Sequence, residues 1–492
     1  MKAKQIALTA VLFIVCPLAS ATDDLAQAPA VADAIALLEL WTEEQRAYQA
    51  LPGLAIGVVH DQDLIWARGF GVRDLESLEP VTPDTVFRVG SVTKVFTATA
   101  ILQLRDRGLL RLDDPVAQHL PWFSIHSDFE GEPEITVRHL LTHSSGLPRE
   151  AAFPYWTTHE FPTREELQAV VPGQSTIFPP ASRYKYSNLG IALLGEIVTE
   201  VSGTPWADFL RDHITTPLGM ARSSADPDDA LRRLMTTAYL RRAGDGNRRI
   251  AEYYDTGALA PAANMVSTVN DLARFAALQF SAGTRAEDAQ ILRASTLREM
   301  HRPHWMKADW SGGRGLGYSV SRRKGTTLVS HGGWVAGHRT HFLLAPSEKI
   351  AVIVMTNADD ASPGQFSYRA YDLLAPAIAS ATAPPPEPKR VDPAWQRYLG
   401  TYSDPWGWEY QVLIHDQQLV FYEHSYPPED APSNGLTRLE PVSEHTFRMS
   451  DGELVVFELD DDGRVERIKR RFDYIYPVDP NASEADAKEG QP

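Results

Sequence analysis

Phe87-Arg88-Val89-Gly90-Ser91-Val92-Thr93-Lys94 is the point at which this chain changes texture. Before it lies a strand pair. Leu54 to Val59 is apolar and β-branched, His60-Asp61-Gln62-Asp63 supplies a turn, and Leu64 to Gly71 returns. After it the pattern becomes helical from Thr93 to Arg105, with Val95, Phe96, Ala98, Ile101, Leu102 and Leu104 on overlapping faces, and Gly108 ends it near Leu109. Ser91 and Lys94 are three residues apart, so on a helix they share a face. A serine hydroxyl is a poor nucleophile until a neighbour takes its proton. A lysine amine one turn away serves if burial or nearby charge lowers its pKa. The free N–H groups at a helix start also face developing negative charge. Read alone, the stretch is equally an N-cap serine followed by a solvent lysine, so the rest of the chain has to decide.

Working outward, residues 29 to 48 are expected to be helical, with Ala, Leu and Glu and no breaker after Pro29. The middle, to about Arg302, is mostly helix and Pro-rich loop. Strand signals resume at Leu316 to Ser321, Thr327 to Ser330, His341 to Leu344 and Ile350 to Thr356. The simplest assembly is an α/β (α+β) fold: an antiparallel sheet built from both ends of the region, with a large helical insertion between them. Residues 383–390 read as a stiff Pro-rich linker, Ala383-Pro384-Pro385-Pro386-Glu387-Pro388 at its centre. Beyond it, Tyr410 to Ile414, Leu419 to Tyr422 and the turn signals Asp451-Gly452 and Asp462-Gly463 predict an all-β, barrel-like domain over residues 391–480. Residues 481–492 are polar and expected to be disordered.

Two further segments carry chemistry-bearing residues. Tyr186-Ser187-Asn188 precedes a helix-like run from Leu189 to Val201. Tyr186 is a candidate base or proton shuttle, and Asn188 offers a donor and an acceptor to a substrate amide. The plain alternative is a packing tyrosine and an N-cap asparagine. Ser330-His331-Gly332-Gly333 closes a strand signal. Two glycines on a strand permit a ligand backbone to approach closely, and His331 can hold or relay a proton. The alternative is a tight turn with a surface histidine.

Bulk properties narrow the classes. The chain has 492 residues and a formal net charge of −17. That length suggests two domains, and a dispersed acidic charge excludes a nucleic-acid binder built on a basic face. Residues 1–21 read as a signal peptide: Lys2 and Lys4, an apolar run from Ile6 to Leu18, and Ala19-Ser20-Ala21 as the cleavage site. The run is short for an uncleaved anchor. Ile14-Val15 before Cys16 do not suit a lipoprotein signal, and Cys16 is the chain's single cysteine. The mature chain is therefore expected to carry no disulfide, to insert in no membrane after cleavage, and to be periplasmic or secreted.

At this point the three motifs together resemble the β-lactamase-related, penicillin-binding-protein-like serine hydrolases. Thr136 to Pro148, Tyr186 to Gly203, Pro217-Leu218-Gly219-Met220 and Ser267 to Phe275 are similar to stretches of that family as well. Tyr-x-Asn in place of Ser-Asp-Asn resembles the branch with class C β-lactamases, D-stereospecific peptidases and family VIII esterases. His-Gly-Gly departs from the Lys-Thr-Gly of β-lactamases, and Pro261-Ala262-Ala263-Asn264-Met265 stands where relatives often have Gly-Gly. Glu165 and Glu166 precede the tyrosine motif and are discounted as a class A base.

The resemblance implies a serine hydrolase domain over residues 22–382. It implies an acyl-enzyme on Ser91, proton transfer shared by Lys94 and Tyr186, and substrate positioning by Asn188, His331, Gly332 and Gly333. The oxyanion hole is expected from the backbone N–H groups of Ser91 and Trp334. The substrate is then a small peptide, amide or ester, cleaved with neither metal nor organic cofactor. A D-amino-acid peptidase or carboxypeptidase-like activity comes first, a carboxylesterase next, a β-lactamase third and a non-catalytic acyl-binding receptor last. His139 and His143 stand at zinc-like spacing but lack the glutamate of H-E-x-x-H. Gly313, Gly315 and Gly317 precede a strand, which does not suit a dinucleotide fingerprint. Trp156, Trp206 and Trp305, like the side chain of Trp334, read as packing before pocket lining.

Overall fold

The computed structural model describes residues 25–281, 291–383, 391–415, 417–423 and 436–478. The expected signal peptide, most of the Pro-rich linker and the expected disordered tail lie outside the described residues. The chain divides into two compact units, one ending at Thr382 and the other starting at Ala383.

The first unit is built on an eight-stranded antiparallel sheet in the order β2-β1-β10-β9-β8-β7-β6-β5. Strands β1 (Gly53–His60) and β2 (Asp63–Gly71) come from its start; β3 (Phe87–Arg88) and β4 (Val266–Ser267) form a separate pair. Strands β5 (Trp305–Met306), β6 (Gly313–Arg314), β7 (Ser319–Arg323), β8 (Thr326–Val335), β9 (His338–Ala345) and β10 (Ile350–Thr356) come from its end. β1 meets β10 in register from Leu54↔Thr356 to His60↔Ile350, so strands from the start and the end of the unit join inside the sheet, one strand in from its β2 edge.

Residues alternate between two cores along these strands, as the strand period of two requires. Leu54, Ile56, Val58, Ile350, Val352 and Val354 enter one cluster, which helices α1 (Pro29–Tyr48) and α5 (Pro363–Thr382) complete with Val31, Leu38, Phe366 and Leu374. Ala55, Val59, Ala351, Ile353 and Met355 enter the other, with the helical insertion. There α2 (Thr93–Asp106) is buried from Thr93 through Leu104, which explains why its apolar residues show no single face: a helix enclosed all round needs none. Helices α3 (Asn188–Ser202) and α4 (Val269–Gln279) pack around it.

Two boundaries differ from expectation. The strand expected at Leu316 to Ser321 is β7, shifted to Ser319–Arg323, because Leu316 and Tyr318 turn into the helical core. β8 runs through His331-Gly332-Gly333 to Val335, so the motif is strand and not a tight turn, and His331 is buried rather than at the surface.

The second unit is a nine-stranded antiparallel sheet, barrel-like, in the order β14-β13-β12-β11-β19-β18-β17-β16-β15. These strands are β11 (Gly400–Ser403), β12 (Glu409–His415), β13 (Gln418–Glu423), β14 (Leu436–Arg438), β15 (Glu440–Ser443), β16 (Thr446–Arg448), β17 (Leu454–Leu459), β18 (Val465–Arg470) and β19 (Asp473–Pro477). Its core is aromatic and aliphatic, including Tyr398, Tyr402, Phe421, Phe447 and Phe457. Among the described residues no helix is long and apolar enough to cross a membrane.

Candidate active site

Ser91 does not stand in the helix itself. It occupies a 3-10 turn, Gly90–Val92, immediately before α2. In 3-10 geometry side chains three apart eclipse, and the Lys94 ammonium nitrogen lies 3.0 Å from Ser91 Oγ. The serine caps nothing and the lysine is not in solvent; Lys94 is 1% exposed. Its Nζ also donates to the Ala262 carbonyl at 2.7 Å. Burial drives the Lys94 pKa well below its ordinary value; Glu150 opposes that shift and Arg149 adds to it. The amine is thus disposed to be neutral and able to accept a proton.

Pro261-Ala262-Ala263 is held beside the turn by the β3–β4 pair, by Val89 N–H bonding the Met265 carbonyl, and by Thr97 Oγ1 bonding the Pro261 carbonyl. The stretch without Gly-Gly is therefore part of the site, with the Ala262 carbonyl holding the lysine. This packing also fixes the small residue on the facing helix: a Cβ at Gly195 would fall on the Pro261 ring.

Tyr186 lies across from this turn, its ring 4.9 Å from Lys94 Nζ. Burial raises the phenol's pKa, and its hydrogen bond with Ser91 opposes that rise only in part. The pair is then a phenol held in its protonated form and an amine that burial shifts toward its neutral form, around one hydroxyl. Ser187, not Asn188, caps α3: its Oγ accepts from the Gly190 N–H at 2.8 Å. Asn188 is the first residue of that helix, and its Nδ2 donates to Glu150 Oε1 at 2.7 Å.

The strand β8 supplies the opposite wall. A Cβ at Gly333 would fall on the Val89 carbonyl oxygen and 3.4 Å from the Ser91 nitrogen. A Cβ at Gly90, which has φ +52°, would lie 2.6 Å from the Trp334 carbonyl oxygen and 2.7 Å from its nitrogen. The glycines at 90 and 333 let the nucleophile turn and the strand approach until the Ser91 and Trp334 backbones are neighbours. Gly332 is different: a Cβ there would make only ordinary contacts. His331 sits 6.5 Å from the Tyr186 ring, and burial lowers its pKa to about 3, helped by the Lys94 charge. It is a neutral imidazole and not an ammonium substitute for the lysine of Lys-Thr-Gly.

Three neighbours were not singled out in the sequence for this role. His143, set aside as a possible zinc ligand, stacks on Tyr186 with ring centroids 4.3 Å apart, and its Nδ1 accepts from the Ser187 N–H. Burial, then the Lys94 charge, lowers its pKa far below the ordinary value. His139 is elsewhere employed, in the Thr136 capping box. Arg149 lies 4.9 Å over the Tyr186 ring, and Glu150 beside it bonds Asn188. The order Pro148-Arg149-Glu150 directly after the Ser-Ser-Gly-Leu stretch was the available signal, but nothing local tells which charged residue after a turn points inward.

Known proteins of similar sequence and shape identify the family. A protein-family model described as "Beta-lactamase" matches residues 38–376. A penicillin-binding protein 4 from Amycolatopsis lactamdurans is 30% identical over 373 residues, 73% of this chain and 94% of that protein. The solved octameric penicillin-binding protein homologue from Pyrococcus abyssi superposes with a TM-score of 0.62 at 25% identity, over 90% of this chain and 99% of its own. A D-stereospecific amidohydrolase from Streptomyces gives a TM-score of 0.56 at 25% identity, over 68% and 97% of the two chains.

Proposed function

The chain belongs to the β-lactamase and penicillin-binding-protein superfamily, whose fold serves serine hydrolysis of amide and ester bonds, and from that premise we propose that it is an exported amide or peptide hydrolase acting through an acyl-enzyme on Ser91. The observation that carries the reading is the 3.0 Å contact between Ser91 Oγ and a buried Lys94 amine. In the proposed cycle Lys94 takes the hydroxyl proton as Oγ bonds the carbonyl carbon. The proton passes through the Lys94–Tyr186 pair to the leaving nitrogen as the C–N bond breaks. Water then adds to the acyl-enzyme by the same relay and releases the acid. The pair titrates as a unit, so one pKa is not assigned to each step. The N–H groups of Ser91 and Trp334 face the developing oxyanion, and Asn188 and His331 position the substrate.

A D-amino-acid peptide or amide is favoured as substrate. The neutral His331 supplies no cation where β-lactamases carry a lysine, and one structural relative bears the name of a D-stereospecific amidohydrolase. Esters are the second class, because the acylation chemistry is shared. The test is intact-mass analysis of the mature chain after a fluorophosphonate or β-lactam, beside Ser91→Ala, followed by turnover of D-amino-acid amides and short acyl esters. A single adduct lost in the variant, with amide turnover, is the expected result. No adduct with either probe would overturn the reading.

A further inference from the structure

Among the described residues, Glu150 is the one acidic side chain whose charge bears on Lys94, and it lies outside the three motifs. Its two oxygens are fully engaged. Oε1 accepts from Asn188 Nδ2 at 2.7 Å and from Arg149 Nε at 3.1 Å; Oε2 accepts from the Tyr155 hydroxyl at 2.6 Å. That hydroxyl in turn accepts from the Ala151 N–H at 3.2 Å, and the Tyr155 ring is wholly buried between Trp156 and Phe161. The carboxylate is therefore held from the protein interior rather than swinging from the surface.

A carboxylate only accepts hydrogen bonds, so the edge of the Asn188 amide that meets it has to be the NH2 edge. The carbonyl oxygen of Asn188 then faces away from Glu150. We propose that Glu150 is a positioning residue: it fixes which edge of Asn188 is offered to a substrate N–H, and it sets a single negative charge against the Lys94 amine. This rests on the amide-hydrolase reading above and specifies how its site is oriented.

The groups that face Lys94 come from every element packed on it. Ser91 Oγ and the Ala262 carbonyl bond it, the Tyr186 ring covers it, and Arg149, His143, His331 and Glu150 act on it or feel it through charge. Of the charged groups among these, Glu150 is the one that favours the protonated amine. Removing its charge leaves Lys94 neutral to lower pH, so the acid limb of Ser91 reactivity moves down.

The experiment uses the full mature chain and the rate of fluorophosphonate labelling of Ser91 across pH. Glu150→Gln is expected to move the acid limb down by at least about half a unit. Tyr155→Phe, which keeps the charge, is expected to leave it in place. Asn188→Asp sets a second carboxylate against Glu150 and is expected to slow labelling about tenfold. The double variant Glu150→Gln with Asn188→Asp exchanges donor and acceptor at constant net charge and is expected to restore most of that rate. It also carries the test should Glu150→Gln alone fold poorly. An unmoved limb, an equal movement with Tyr155→Phe, or an unrescued double variant overturns the proposal while leaving the hydrolase reading intact. No labelling of the parent chain overturns both.

Discussion

The nucleophile region and the C-terminal barrel are built on opposite principles. Among the described residues, every buried polar or charged side chain, with tyrosine counted among the apolar ones, lies in the first unit: Lys94, His143, Asn188, His331 and Arg88 among them. The barrel core is Tyr, Phe, Val, Leu, Ile and Met, with Tyr410 and Val412 turned inward and their neighbours Glu409 and Gln411 turned outward. Burying polar groups costs free energy unless each is bonded or neutral. One region accepts that cost, with burial shifting its amine and imidazole groups toward their neutral forms; the other is organised for stability. Buried polarity of this kind is where function concentrates.

The comparison can be broken by substitution. Ser91→Ala should reduce turnover by roughly 10⁴-fold or more while leaving the melting temperature nearly unchanged. A large loss of stability would mean that the serine is structural. Lys94→Met should reduce turnover by about 10³-fold, yet hold or raise stability at neutral pH, because a buried amine is replaced by a side chain of similar length. In the native state burial holds the pKa of this lysine well below its ordinary value, whereas the unfolded chain protonates it up to that value. Stability of the parent should therefore climb as pH rises from neutral toward that value, and chemical denaturation should find the slope reduced in the variant.

The glycine pair sharpens the contrast within one strand. Gly333→Ala should cost about 1–3 kcal/mol and about 10²-fold in activity, since its Cβ falls on the Val89 carbonyl. Gly332→Ala, with room for a Cβ, should fold normally. Thermal denaturation and labelling rates on both variants check this. Histidines widen the difference between regions. Burial lowers the pKa of His301 and His341 to about 4 and of His331 and His338 to about 3, and all four are in the first unit. Unfolding lets each take a proton below its ordinary value near 6.5, so stability present above that pH is lost as pH falls toward 3–4. Hydrogen exchange should show that loss in the first unit. The smallest effect on activity is expected from Phe447→Ala. It should destabilise the barrel by about 3–5 kcal/mol and leave Ser91 labelling within about twofold.

Much of this was legible locally. The apolar, β-branched runs from Leu54 to Val59 and from Ile350 to Thr356, and the turns at Asp451-Gly452 and Asp462-Gly463, announce strands and hairpins, because residue preference and turn chemistry are properties of short windows. The helix at Pro29–Tyr48 follows from its proline start and unbroken helix formers. The extension of β8 through two glycines was not legible, since glycine alone reads as a turn; pairing with β9 overrides that preference. Nor was the cap at Ser187, one residue before the asparagine that looked like it.

The sequence by itself determined the residue types and their order: a serine and a lysine three apart, a tyrosine two before an asparagine, and glycines where backbones have to touch. Only the tertiary structure decided their electrical state. Burial is a sum over segments distant in sequence, and it is the enclosure of Lys94, against the opposing charge of Glu150, that draws an ordinary lysine's pKa well below its usual value. The same enclosure drew in His143 and Glu150, whose roles depend on which way the chain turns after Leu147 and on nothing written in their immediate neighbours.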